Sequence, residues 1–430
     1  MDLRVLDGLR GLAALYVVVY HASGLLWRGA SAGSPWFVWL FENVFSFGHQ
    51  AVLLFFLISG FCIHYRQAKT GAQRIDNVAF AMRRLRRLYP SLLLALIVTT
   101  ALDHVGMRLN PDYYAEPSDF WGGAVTVGSS YTLQTVLLNL LMQARQAVPE
   151  LGSNAPLWSL GVEFWLYALY PVLLLLFVRV GPRRSTLAIG VVSAACWFVL
   201  GWLPWWHLRV LSYWAVWGLG ALLAEAYVRG ECARLVRRLG PLTPFALLAL
   251  GTMAPIGAGP RRVPDLAWGA AFGLGLAYLL LASRTAWLER ALVRCEQLGK
   301  ISYSLYLVHY PLLALTAAWW LATRGALPRG LELSIFGVAS GVAFGWFAWY
   351  AVERHTVSAS PERARARSTA RVRLRRVDPR PGIARPSSLA QTGLVRACRA
   401  DPRQQHFPAR DRLSRHTSRH AAAAGLVTTP

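Results

Sequence analysis

The stretch RVLDGLRGLAALYVVVYHA, residues 4–22, decides the fold. Its apolar run is too long for the core of a signal peptide, and no small-residue cleavage site follows it. It is therefore expected to stay in the membrane as a first transmembrane helix. Arg10 and His21 bracket the run with ten residues between them. Eleven steps of helical rise set them ~16 Å apart along one axis. The guanidinium then sits near one membrane face while the imidazole lies well inside. An ionisable side chain within a span is costly and marks a functional site by default.

Composition extends the reading to the whole chain. Of 430 residues, 55% are hydrophobic and only 15% charged, with 18 Trp and a mean hydropathy of +0.36. These values describe an all-α, polytopic membrane bundle. Apolar segments of ~16 to 23 residues, the length that crosses a ~30 Å core, fall near 9–27, 45–64, 88–106, 158–178, 186–204, 209–228, 243–258, 265–283, 301–322 and 331–352. About ten transmembrane helices are therefore expected, the Gly-rich 243–258 being the weakest. With the N-terminus in the cytoplasm, twenty Lys and Arg before the tail fall on inside segments and eight outside. That bias places both termini in the cytoplasm, as suits the inner (plasma) membrane. Arg261 and Arg262 run against it. The largest outside segment, ~107–157, is too long for a passive turn and suits an acceptor site or lid.

Two domains are expected: a membrane domain over 1–353 and a disordered, Arg-rich cytoplasmic tail over 354–430. The tail carries 17 Arg and four acids and has almost no apolar periodicity. It supplies more than half of the formal net charge of +24, so the basic balance says little about the membrane part. A solvated tail near anionic lipid is the plain reading. It lacks the aromatic interleaving of a nucleic-acid-binding arm, and no nucleic acid partner is expected. Cys62, Cys196, Cys232, Cys295 and Cys398 form no CxxC spacing, so neither a metal site nor a disulfide framework is indicated.

Four local patterns carry the chemistry: LDGLRGLAALYVVVYH; GHQAVLLFFLISGFCIHY at 48–65; RRLRRLYP at 83–90; and LWSLGVEFWLYALYP at 157–171, followed by LGKISYSLYLVHYPLL at 298–313. In this order they closely resemble the acyltransferase-3 family of integral membrane O-acyltransferases. The resemblance covers ~1–353. Each motif alone is modest, and the ordered set is highly specific. It implies that Arg10 and His21 form the family's first-span Arg-x10-His. Arg84 and Arg87 match its cytoplasmic Arg-x-x-Arg. Trp158, Ser159, Leu160 and Glu163 match its Trp-Ser-Leu-x-x-Glu. Ser302, Tyr303, Tyr306, Leu307, His309 and Pro311 match its Ser-Tyr-x-x-Tyr-Leu-x-His-x-Pro. Val308, where Trp is frequent, and Ala51, where Gly is frequent, depart from the pattern.

The resemblance implies acyl transfer from acyl-CoA, acetyl-CoA foremost, to a hydroxyl of a sugar, glycan or lipid acceptor, with no permanently bound cofactor. His21, Glu163 and His309 are then the catalytic candidates. Arg10, Arg84 and Arg87 are the candidates for the donor's phosphates, which Arg forks suit. Trp158, Ser159, Tyr303 and Tyr306 are the substrate-binding candidates. Helix rise sets His21 ~18 Å and Glu163 ~22 Å from the cytoplasmic face, with His309 shallower at ~12 Å. Glu163 is thus a candidate to orient His21, stabilise its cation or hold the sugar. Tyr303, Tyr306 and Ser59 are candidate oxyanion donors.

Plainer readings stand beside these. His21 and His309 also suit interhelical hydrogen bonding. Arg83 and Arg86 suit topology alone, and Glu163 a packed polar contact. Phe55, Phe56, Ser59 and Gly60 suit helix packing, and Asp7 a pair with Arg10 at i, i+3. A polytopic transporter is the rival class. It accounts for buried ionisable residues but not for the order of the motifs.

Overall fold

A computed structural model describes residues 4–31, 34–116, 126–202, 208–253, 263–281 and 286–358. Within these, the secondary structure is helical apart from short turns and one isolated bridge between Ala144 and Val148. The helices are α1 (Arg4–Leu26), α2 (Trp36–Val44), α3 (Gly48–Thr70), α4 (Asn77–Leu109), α5 (Pro111–Ala115), α6 (Leu133–Leu140), α7 (Leu157–Ala168), α8 (Tyr170–Val180), α9 (Pro182–Trp202) and α10 (Leu208–Val228). They continue as α11 (Cys232–Leu239), α12 (Thr243–Met253), α13 (Val263–Leu280), α14 (Ala286–Arg294), α15 (Glu296–Arg324), α16 (Glu332–Ala348) and α17 (Arg354–Ser358). A π-helical turn, Trp349–Glu353, joins the last two.

Six of these segments are long and apolar enough to cross a membrane: α1, α2–α3 together, α4, α9, α15, and α16 with its continuation. A seventh is the pair α7–α8, bent by 44° at Leu169. The expected 209–228 and 265–283 correspond to α10 and α13, and 243–258 to the 11-residue α12. None of these three meets the same measure of length and apolarity, so ten spans exceed what it supports. The protein is nonetheless a multi-pass membrane bundle.

Contacts between helices fix their relative directions. His21 on α1 meets His309 on α15, and Gly11 meets Gly299, so these helices run parallel. A Cβ at Gly11 would lie 2.5 Å from the Gly299 nitrogen. Only glycine permits that approach, and it sets α1 against α15. The helix α16 runs antiparallel to both, with Gly345 on Leu305 and Gly341 beside His309. Phe56 packs on Tyr213 and His64 bonds Glu225, so α3 and α10 run parallel.

Contacts divide the chain into two units, residues 1–371 and 372–430. The second lies wholly outside the described residues, as do Arg261, Arg262, Arg284, Cys398 and the tail from 359 onward. The helix α17 (Arg354–Ser358) lies just beyond residue 353. The Glu353 carboxylate accepts from the Ser304 hydroxyl at 2.6 Å, and α17 follows it.

Candidate active site

Two cavities lie along α15 and share only Val52 and Tyr306 among their lining residues. The first, of about 70 Å³, is lined by Arg10 from α1, Ser59 and Cys62 from α3, Arg84 and Arg87 from α4, Ser159, Glu163 and Tyr167 from α7, and Ser302 and Tyr303 from α15. All three expected donor-binding arginines therefore face one space, although they come from two helices more than 70 positions apart. In the run 83–87, Arg84 and Arg87 are half-buried in this cavity while Arg83 and Arg86 are exposed. The plain topological reading thus fits Arg83 and Arg86.

Glu163 belongs to the arginine cavity. Its carboxylate accepts from the Ser59 hydroxyl at 3.1 Å and from the Tyr167 hydroxyl. Arg84 lies 5.4 Å from the Phe80 ring centre and 5.5 Å from that of Tyr167. Such placement is a cation–π arrangement that holds a guanidinium without neutralising it. Arg10 has Asp7 at 3.9 Å, the expected i, i+3 pair. The buried Tyr303 hydroxyl has no hydrogen-bond partner among the described residues. A buried, unmatched hydroxyl is costly and is normally met by solvent or ligand.

The second cavity, of about 280 Å³, is lined by His21, Tyr20, Gly48, His49, Arg145, Ala155, Pro156, Trp158, Arg209 and Tyr213, among others. The His21 Nδ1 lies 2.8 Å from His309 Nε2, and His309 Nδ1 lies 3.0 Å from the Leu305 carbonyl oxygen. That carbonyl can only accept, so His309 carries its proton on Nδ1 and offers the Nε2 lone pair. His21 must then donate from Nδ1. With both rings neutral, the lone pair of His21 stands on Nε2. His309 is fully buried and His21 half-buried against the cavity.

This corrects two expectations from helix rise. The partner of His21 is His309, at the same depth, because α15 begins at Glu296 rather than 301 and lifts His309 by more than a turn. Glu163 bonds Ser59 and Tyr167 instead of reaching His21. Its helix starts beside Ala155 and Pro156, which already line the second cavity. The start of α7 is thus buried inside the bundle, and Glu163 is carried towards the arginines.

The remaining substrate-binding candidates divide between the cavities. Trp158 lines the second and stacks on His49, ring centres 5.6 Å apart at 18°. Ser159 lines the first and pairs with the Tyr306 hydroxyl at 2.7 Å. Tyr306 lines both and so stands in the partition. Phe55 and Phe56 line the first cavity, whereas Gly60 serves packing against the Trp217 backbone.

Sequence reasoning missed several groups. His49, inside a quoted motif, bonds the buried Asp265 carboxylate at 3.0 Å. Arg145 holds a left-handed backbone, φ 55°, uncommon for a non-glycine residue. It pairs with Glu150 at 2.6 Å. Burial pushes the Glu150 carboxyl above its usual range, against the pull of Arg145. Asn154, fully buried, donates to the Leu307 carbonyl at 2.9 Å and the Thr99 hydroxyl at 2.8 Å. The loop after α6 is pinned there by Asp103, which accepts from the Ser153 amide and hydroxyl. The long segment between α4 and α7 thus contributes Arg145, Ala155 and Pro156 to a cavity wall.

A helical membrane bundle with a histidine pair in one cavity and three arginines in the next has the polar groups that a membrane enzyme needs. The acyltransferase domain family matches residues 3–352, and the chain belongs to it. The protein is therefore an enzyme that transfers acyl groups. It is 27% identical over 340 residues to the membrane-bound transacylase named BcsY from Komagataeibacter xylinus, covering 72% of each chain. It is 26% identical over 370 residues to the acyltransferase MdmB from Streptomyces mycarofaciens, covering 78% of this chain and 88% of that one. It is 28% identical over 196 residues to the O-acetyltransferase OatA from Staphylococcus aureus, covering 44% of this chain and 27% of that one. No solved structure matches the chain.

Proposed function

We propose that the protein transfers a short acyl group, acetyl foremost, from acyl-CoA to a hydroxyl of a sugar, cell-envelope glycan or glycosylated lipid. It works in the plasma membrane with both termini in the cytoplasm. The observation that carries this reading is the pair of cavities meeting at Tyr306, one lined by Arg10, Arg84 and Arg87 and the other by His21. The arginine cavity faces the cytoplasm and receives the donor. Its phosphates meet guanidinium forks at the mouth, and its thin pantetheine arm runs inward to the partition. The small volume there supports acetyl over a long chain. Trp158, Tyr20 and Tyr213 around the second cavity offer the apolar ring faces that a sugar packs against.

The His21 Nε2 takes the proton from the acceptor hydroxyl as its oxygen attacks the thioester carbonyl carbon. The His21 cation that forms keeps its Nδ1–H bond to His309, which holds the ring in place. The Tyr306 hydroxyl, released from Ser159, donates to the oxyanion. Collapse breaks the carbon–sulfur bond. The leaving thiolate takes the proton back from His21 Nε2, and the ester remains on the acceptor. His309 acts as the positioning partner, and Glu163 balances Arg84 and Arg87.

Purified protein tests this directly. Thiol release from acetyl-CoA should require both a hydroxyl acceptor and His21. Thiol release at the wild-type rate from His21→Ala would sink the mechanism, and no turnover with any sugar or glycan acceptor would sink the substrate class.

A further inference from the structure

A third cavity, of about 890 Å³, opens between the end of α8, the start of α9, α10, α11, α12 and α13. It shares no lining residue with either of the two described above. It lies at the same end of the bundle as Arg10, because α10 runs parallel to α3 and contributes its C-terminal part. Its depth is apolar, with Leu222, Leu223, Leu247 and Leu274 among its walls. Five arginines line it against two glutamates, and the glutamates are spoken for. Arg183 pairs with Glu231 at 2.6 Å, and Arg229 with Glu225 at 2.8 Å. Arg184, Arg234 and Arg238 have no carboxylate partner among the described residues. Arg234 and Arg238 stand at i and i+4 on α11, so they share one face.

We propose that this cavity binds an anionic phospholipid, with an acyl chain in the leucine-lined depth and the phosphate on Arg184, Arg234 and Arg238. Charge complementarity selects the occupant. Unpaired guanidinium forks at the end of membrane helices suit a phosphate in the headgroup layer. An apolar interior excludes a purely polar ligand such as a free nucleotide. A volume within the ~300–1,000 Å³ typical of ligand sites leaves room for chain as well as headgroup. A neutral lipid would fill the depth and leave the three cations unmatched.

Native mass spectrometry of the full-length protein in detergent tests the assignment, with phosphatidylglycerol and phosphatidylcholine titrated side by side. One phosphatidylglycerol should be retained at least tenfold more strongly than phosphatidylcholine. Arg184→Gln, Arg234→Gln and Arg238→Gln together should remove that preference. These side chains are exposed, so the bundle should stay folded, which size-exclusion chromatography and thermal unfolding would check. Leu222→Trp narrows the depth and keeps every charge, and it should weaken phosphatidylglycerol retention at least fivefold. Glycerol 3-phosphate, which has the phosphate without a chain, should not compete at equal concentration. Equal retention of the two lipids, an unchanged preference in the triple variant, or full competition by glycerol 3-phosphate would each overturn the proposal.

Discussion

The arginine cavity and the histidine cavity share four helices and use them by opposite means, with α4 adding Arg84 and Arg87 to the first and α10 adding Arg209 and Tyr213 to the second. The helix α1 gives Arg10 to one and His21 to the other; α3 gives Ser59 and His49; α7 gives Glu163 and Trp158; α15 gives Tyr303 and Tyr306. In the first, Arg10 pairs with Asp7 and Arg84 lies against the Phe80 and Tyr167 rings. In the second, one histidine is aimed by another, whose own Nδ1 proton is fixed by a main-chain carbonyl. On the proposed reading charge suits binding, because contacts to the donor's phosphates would be the same before and during the reaction. A neutral base suits chemistry, because it must gain and lose a proton within one turnover. Rigid helices spanning both keep the two tasks in register.

The sharpest way to break this division is at His21. His21→Ala should lower kcat by about 10²- to 10⁴-fold, the range of a lost general base. Donor binding should be unchanged, because no phosphate contact is touched. Stopped acyl transfer together with normal acetyl-CoA binding on inserted protein is the expected pair of results. Substantial turnover would mean that the base lies elsewhere, and His309 would be the next residue to replace.

The complementary loss comes from the other cavity. Arg84→Ala with Arg87→Ala should raise KM for the donor roughly tenfold or more, the scale of one charge-assisted hydrogen bond. The effect on kcat should be smaller, because contacts common to ground and transition states act on KM. Lys replacements, which keep charge but lose the fork, should recover only part. They also control for topology, since removing two positive charges at the start of a span can disturb insertion. A fall in kcat with KM unchanged would place these arginines in the chemistry and dissolve the comparison.

Much of this division is legible in the sequence. Arg10, Arg84 and Arg87 are polar groups at the ends of apolar runs, and His21 is an ionisable group inside one; both are local signals. The separation of Arg84 and Arg87 from Arg83 and Arg86 follows from helical periodicity. Glu163 was misplaced because its depth depends on where α7 starts, and a loop that dips below the surface leaves no periodic trace. His309 was placed too shallow for a similar reason, an early helix start. The contacts of His49 with Asp265 and of Asn154 with Leu307 join residues more than 150 positions apart, and spacing within a motif cannot report them.

Cys62 gives a way to sharpen the comparison without disabling either cavity. Its thiol lines the arginine cavity and is exposed there, whereas Cys196 and Cys232 are buried. If the donor occupies that cavity, acetyl-CoA, whose sulfur is blocked as the thioester, should slow maleimide labelling of Cys62 several-fold, by mass action on the free fraction. A sugar acceptor should leave the rate unchanged. Protection by the acceptor and not by acetyl-CoA would reverse the assignment of the two cavities. Cys62→Ser supplies the background from the remaining cysteines.

The smallest expected effect tests how the histidine pair is held. Pro311 lies inside α15 and has no main-chain N–H. The carbonyl four residues earlier, Leu307, therefore lacks its helical donor, and the Asn154 side chain fills the gap at 2.9 Å. This bond lies within one turn of His309 and ties the loop before α7 to the helix that aims His21. Asn154→Ala should cost about 1–3 kcal/mol by leaving a buried carbonyl unmet. In Pro311→Ala, residue 311 regains its N–H and can donate to Leu307 itself, so the same Asn154→Ala change should cost less. The lost bond between Asn154 and Thr99 is common to both backgrounds and cancels. A double-mutant cycle on unfolding in detergent should therefore give a coupling of about 1 kcal/mol. The kcat penalty of Asn154→Ala should shrink in the Pro311→Ala background in the same sense. Strict additivity in both readouts would show that Asn154 serves the loop alone and has no part in positioning His309.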